Sequence, residues 1–213
     1  MSRDDVKRWP DDPRAREALE RMLAARAGED PYAELAGDGL DFRGADLSGL
    51  GLDGAFLQGA RLEGVRLEGA DLRSARLSDA GLEAADLSGA DLLKAELGGA
   101  RAARASFRDA RMIRAELRAA DLRGADLSGT DLESASLSRA DARGADLSRA
   151  RLQRTVLRGT LLDGSTLAGA SGSLWGPVDA GEPGAPRPLD GEAMFGWLRE
   201  LGAGDVTPAV PLT

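Results

Sequence analysis

The sequence contains no cysteine and no histidine. Disulfides, thiolate and imidazole catalysis, and Cys/His metal sites are therefore excluded. No metal or cofactor is expected, and the lack of cysteine fits a cytoplasmic protein. Lysine is almost missing too: apart from Lys7 and Lys94 every basic residue is arginine, and with the abundant Ala and Gly this reads as coding bias from a GC-rich genome. No apolar run approaches the roughly 20 residues that span a bilayer. The first stretch, MSRDDVKRWPDDP, is too charged for a secretory signal. A formal net charge of -8 argues for a soluble chain that does not bind nucleic acid directly.

What the sequence has is a leucine at nearly every fifth residue. Central positions run Phe42, Leu47, Leu52 and onward to Leu167, which makes 26 units with no insertion or deletion between Leu40 and Ala170. All are leucine except Phe42, Ala102, Phe107, Met112 and Ala142. The Ala, Leu, Glu and Arg content favours helix, but the spacing forbids it. At about 100° per residue, a step of five turns roughly 140° and scatters the leucines around the axis. A plain strand fails because an odd step alternates faces. Each unit must therefore contain a change of direction. In Ala45-Asp46-Leu47-Ser48-Gly49, alanine and leucine lie two apart and point inward, while Asp46 points out. Ser-Gly then turns the corner. Such a repeat buries a continuous core only by stacking, as a solenoid.

The segments ADLSG, ADLRGADLSGTDLES and ADLSRARLQ resemble the A(D/N)LXX units of the pentapeptide-repeat family, over about three-fifths of the chain. The resemblance implies an all-β solenoid, a right-handed quadrilateral β-helix with four units per coil. Spacing alone does not separate four from three. With four, 26 units give about 6.5 coils and a rod roughly 31 Å long at 4.8 Å per coil.

The expected organisation is an N-terminal segment 1–39 with a capping helix, the repeat over 40–170, a Pro/Gly-rich linker over 171–189 with no strand or helix period, and a helix with tail over 190–213. Residues 13–27 read as a helix with Asp12 as cap, Pro13 in the first turn, Gly28 as terminator, and Leu19, Met22 and Leu23 on one face. The last helix places Met194, Trp197, Leu198 and Leu201 at i, i+3, i+4 and i+7, beside Phe195, with Asp190 as N-cap. It must bury that face on the last coil or on a second subunit. Its resemblance to the C-terminal helix of quinolone-resistance members implies a homodimer.

Charge is uneven along the repeat. Residues 40–99 carry eleven acidic and six basic side chains, among them the motif aspartates Asp46, Asp71, Asp86 and Asp91. The next twenty residues carry Arg101, Arg104, Arg108, Arg111, Arg114 and Arg118 against Asp109 and Glu116. Some members of the resembled family bind DNA gyrase and are thought to imitate duplex DNA, which requires a negative surface that competes for a phosphate site. The resemblance thus implies DNA gyrase or topoisomerase IV as partner and resistance to an inhibitor of it, with Asp46, Asp71, Asp86 and Asp91 as candidate contacts. The arginine belt works against uniform mimicry. It points instead to a general scaffold that recognises an acidic partner. Outward apolar residues Phe56, Leu93, Ile113, Val156 and Leu161 stand where Asp, Arg or Ser is usual; Phe56, Leu93 and Ile113 are open to a partner, and the linker or last helix is expected to cover Val156 and Leu161. Asp121, Asp126 and Asp131 lie on flat faces with no pocket to raise a pKa, so no catalysis is expected.

Overall fold

Each repeat unit bonds to the unit twenty residues further on. In the computed structural model, which describes residues 5–28, 30–179, 187–189 and 191–208, parallel bridges join Asp41 to Arg61, Asp46 to Arg66, Gly51 to Asp71 and Phe56 to Arg76. The same step repeats up to Asp146 and Thr166. Leu52 N–H donates to Asp71 O at 2.6 Å, and Asp71 N–H donates back to Leu50 O at 3.0 Å. A coil is therefore four units long, and the fold is a four-sided β-solenoid. Its first face carries the units centred on Phe42 and Leu62, its second those on Leu47 and Leu67, its third those on Leu52 and Leu72, and its fourth those on Leu57 and Leu77.

Corners explain the five-residue period. Leu50 N–H donates to Leu47 O at 3.1 Å and closes a tight turn, a bond that recurs at the other corners. The residue two after each central leucine takes a left-handed backbone. Glycine fills it at Gly44 and Gly49, but twelve corners use another residue, with φ between 54° and 61°. Glycine is thus preferred there and not required, at a cost on the order of 1 kcal/mol for each exception.

The interior is fully closed. Ala102, Phe107, Met112 and Leu117 share one coil and are all inaccessible, so the larger Phe and Met share a layer with the small Ala102. Near the C-terminal end threonine or serine replaces the inward alanine. Thr130, Thr155, Thr160 and Ser165 are buried, and each hydroxyl donates to a core carbonyl between 2.6 and 2.9 Å away.

Both ends of the solenoid extend beyond the expected frame. Residues 35–39 form an additional unit: Ala36 bridges Phe56, Leu35 is buried, and Gly39 occupies the left-handed corner. Its central position is Gly37, and Phe42 fills the space. A Cβ on Gly37 would stand 2.8 Å from Phe42 Cζ and 2.9 Å from Leu57 Cδ2. A larger ring in the next unit thus replaces the missing leucine.

Residues 171–179 depart from the linker expected there. Strand β1 (Arg151–Val156) pairs in parallel with β2 (Ser171–Trp175), and the register slips by one residue between Leu152 and Thr155. Beyond β2, Leu161 bridges Asp179 within β3 (Val178–Asp179), which also pairs with β4 (Pro188–Leu189). These residues cover the third, fourth and first faces of the last regular coil. The second face is closed later: Leu167 N–H donates to Leu201 O at 2.9 Å. Strand β5 (Asp205–Pro208) then stacks on β2. Helix α2 (Gly191–Glu200) is thus an excursion within a terminal coil.

At the other end α1 (Pro13–Ala27) lies across the first coil. Asp12 caps it, accepting from Ala15 N–H at 2.8 Å, and Ala15, Ala18, Leu19, Met22 and Leu23 are its buried face. Arg26 ties the helix down, donating to Ala33 O, Gly51 O and Asp53. Arg8 pairs antiparallel with Asp46 and covers an otherwise open edge.

Candidate functional site

The outward residue before each central leucine stacks in a column on its face, and aspartate has a local task there. Asp46, Asp71, Asp86 and Asp91 accept from the backbone N–H two residues on, at 3.1, 3.3, 3.1 and 3.1 Å. Asp121, Asp126, Asp131, Asp141 and Asp146 do the same. The motif aspartate is first a corner-bracing group. Where arginine follows two residues later the pair becomes a two-pronged fork, as in Asp71–Arg73 and Asp121–Arg123. The Arg43 fork holds the Asp41 carboxyl down to about 2. Asp71 and Asp121 are lowered by the same kind of fork. For Asp46, burial pushes the pKa up, and two hydrogen bonds from Ser48 with the nearby charges of Arg66 and Lys7 make the net shift downward.

Of the four candidate aspartates, three have arginine partners: Asp46 with Arg66 at 3.6 Å, Asp71 with Arg73 at 2.6 Å and Asp91 with Arg111 at 3.0 Å. Among the described residues Asp86 has no ion pair, and all four are half-buried. The structure distributes them over two faces, Asp46 and Asp86 on the second, Asp71 and Asp91 on the third.

The arginine belt occupies one coil and runs round all four faces. Arg101, Arg104, Arg108, Arg111, Arg114 and Arg118 are exposed. Arg101 bonds Glu83 at 3.2 Å and reaches Asp79 O at 3.3 Å. Beside it Gly81 leaves a gap that the Glu63 side chain fills, and Oε2 of both Glu63 and Glu83 is buried without a partner. Arg108 lies 3.6 Å from Asp109. Among the described residues Arg104, Arg114 and Arg118 have no carboxylate partner.

Outward apolar residues are distributed as follows. Phe56, on the fourth face, has the Arg76 guanidinium stacked 4.6 Å above its ring. Leu93 and Ile113 fall in one column of the third face, one coil apart, each half-buried. Val156 and Leu161 are half-buried, with Trp175 and Asp179 paired to them in the next layer. Lys94, which sequence reasoning passed over, stands at the corner next to Leu93. The signal was a cation where a glycine corner is usual.

Helix α2 buries a face rotated from the expected one. Met194, Phe195 and Leu198 are its buried residues, while Trp197 and Leu201 sit half-buried at the margin. The helix folds back on the following segment, where Ala203 N–H donates to Leu198 O at 3.0 Å and Phe195 lines a hollow with Val206. The cap expected at Asp190 lies outside the described residues. A hollow of about 220 Å³ between Phe195, Val206 and Thr207, and one of about 310 Å³ between Arg14, Arg21 and Asp38 on α1's flank, are open to solvent. Among the described residues no three acidic side chains converge as metal ligands, and no helix is long and apolar enough to cross a membrane.

The family model for pentapeptide repeats matches residues 41–79, 80–118 and 115–154, with eight copies. Among solved structures the chain is similar to a pentapeptide repeat protein from the thylakoid lumen of Arabidopsis thaliana, at 32% identity and a TM-score of 0.44, covering 45% of this chain and 66% of that one. It is also similar to a trypsin-treated form of QnrB1, a plasmid-mediated fluoroquinolone resistance protein, at 20% identity and a TM-score of 0.45, covering 67% of this chain and 72% of that one. A third is HetL, a pentapeptide repeat protein involved in heterocyst differentiation regulation from the cyanobacterium Nostoc, at 27% identity and a TM-score of 0.22, covering 71% of this chain and 91% of that one. The chain spans just under two thirds of the length of the first of these. The curated proteins contain no match.

Proposed function

The chain belongs to the pentapeptide-repeat family, and from that premise we propose that it is a non-catalytic, cytoplasmic protein-binding rod of right-handed winding. Its best-specified partner is DNA gyrase or topoisomerase IV, which it would protect from an inhibitor. The observation that carries binding over chemistry is the division of the side chains. Inward residues fill the interior, and outward ones form flat faces on which the motif aspartates are braced by corner N–H groups, several with an arginine beside them. Asp41, Asp46, Asp71 and Asp121 are held below the ordinary carboxylate range, the opposite of what a general acid needs.

The excess of eleven acidic over six basic residues in 40–99 supports a duplex-like contact with a groove built for phosphates. Asp86, which has no arginine partner among the described residues, is the strongest of the four aspartates for this role. The half-exposed Trp197 and Leu201 support a homodimer through the C-terminal end, which would place two acidic halves at the outer ends. A second reading, a scaffold for an acidic partner, draws support from the belt arginines that lack carboxylate partners.

A supercoiling assay with purified gyrase, run with and without a quinolone, tests the first reading. Inhibition of supercoiling, or relief of quinolone inhibition, is expected at micromolar protein. Neither effect at any ratio overturns gyrase as the partner.

A further inference from the structure

Charge on the third face is almost entirely used up internally. Asp53 pairs with Arg26, Asp71 with Arg73, Asp91 with Arg111, Asp131 with Arg151 and Glu133 with Arg154. Among the described residues two cations of this face have no carboxylate partner, Lys94 and Arg114, and they are consecutive in one corner column. Both are exposed and both hold φ at 58°, the backbone that favours glycine. Immediately before them in the chain stand Leu93 and Ile113, consecutive in the neighbouring column and half-buried.

A further difference separates the two corners. Leu93 N–H is taken by the Asp91 carboxylate at 3.1 Å. One coil on, Arg111 stands where that aspartate would be and turns to Asp91 instead. Among the described residues the Ile113 N–H then has no acceptor. Beside that N–H, the Arg114 guanidinium and the Lys94 ammonium likewise have no carboxylate partner among the described residues. Two exposed cations, a backbone N–H without an acceptor among the described residues and two half-buried apolar side chains form one patch.

We propose that Leu93, Lys94, Ile113 and Arg114 form a docking patch for an acidic segment of a partner protein. A carboxylate of that segment takes the place on Ile113 N–H that Asp91 takes on Leu93 N–H. Arg114 and Lys94 hold this carboxylate and its neighbours, and apolar side chains of the segment cover Leu93 and Ile113. The apolar half of the patch selects a protein segment over nucleic acid, whose phosphate backbone offers nothing to cover it. The inference rests on the protein-binding reading but not on gyrase as the partner. A negative supercoiling assay leaves it standing, and its own failure leaves the gyrase reading standing.

The test uses the full chain and a fluorescein-labelled peptide of alternating Glu and Leu, titrated by anisotropy. Lys94→Gly/Arg114→Gly is the informative variant, because glycine suits the left-handed corner and the fold is preserved. It should bind about tenfold more weakly, equivalent to a loss of roughly 1.4 kcal/mol, while its melting temperature rises. Arg139→Gly/Arg149→Gly removes two corner arginines of the same backbone type on other faces, and should gain stability with unchanged binding. Leu93→Ser/Ile113→Ser should weaken binding at constant charge. The proposal is overturned if the wild type does not bind the peptide, if the control pair loses as much as the patch pair, or if labelled duplex DNA binds as tightly and responds to the same variant.

Discussion

Gly37 and Phe42 make a quantitative test of how the solenoid starts. Three carbons, Phe42 Cζ and Cε2 and Leu57 Cδ2, lie 2.8–2.9 Å from where a Gly37 Cβ would be, well inside ordinary contact. Gly37→Ala alone must push the ring or the leucine aside, at about 1–3 kcal/mol. Phe42→Leu alone removes part of an inaccessible ring and leaves the Gly37 slot empty, at about 1–2 kcal/mol. Combined, the methyl at 37 fills part of the space that the smaller residue at 42 vacates. The double variant should therefore be more stable than the sum of the singles by about 1–2 kcal/mol, a coupling typical of residues in direct contact. For a chain of this length that corresponds to roughly 2–8 °C in melting temperature. Urea and thermal unfolding of the four proteins measure it. Additive singles would show that Phe42 does not occupy the slot, and residues 35–39 would not be a repeat unit.

Acid should unfold the protein partly through its forks. Asp41 ionises at about 2 in the folded chain against an ordinary 3.8, so its contribution is fully present above the ordinary value and is lost as pH falls toward 2. Its arginine partner is half-exposed, so the effect is about 0.2–1 kcal/mol, as for surface ion pairs. In urea titrations, Asp41→Asn should be less stable than wild type at pH 6, and the gap should shrink as pH falls from 3.8 toward 2; a gap as large at pH 2 as at pH 6 would contradict this. If the C-terminal end joins two chains, sedimentation should give a dimer for the wild type and a monomer for Trp197→Asp. A monomeric wild type ends the dimer reading.

Much of this could be read from the residues, for a physical reason. A fixed five-residue step admits one class of architecture, so the core leucines, the inward alanines and the capping helix with Leu19, Met22 and Leu23 followed from the pattern. What the pattern hid was substitution by context. Gly37 carries no side chain, so nothing in its own unit marks it as central, and only the oversized Phe42 betrays it. Gly172 sits where the register slips by one, so a search for a strict period stops at Ala170 although the coil continues. Helix α2 buries Met194, Phe195 and Leu198, a face the pattern alone did not give, because which face it buries depends on the coil beneath. The aspartates looked like surface charge because their hydrogen bonds to corner N–H groups depend on the turn. For the candidate surface, the sequence contained Leu93, Ile113 and the arginines. Stacking Leu93 on Ile113 and Lys94 on Arg114 needed the coil length.

Every shared face therefore depends on twenty residues per coil, and cysteine cross-linking measures that directly because the chain has no cysteine of its own. Leu93→Cys/Ile113→Cys should close a disulfide under mild oxidation, since stacked strands lie about 4.8 Å apart, within reach of the bond. Leu93→Cys/Arg108→Cys, the pair that a fifteen-residue coil would stack, should keep two free thiols. The account is contradicted if the second pair closes and the first does not.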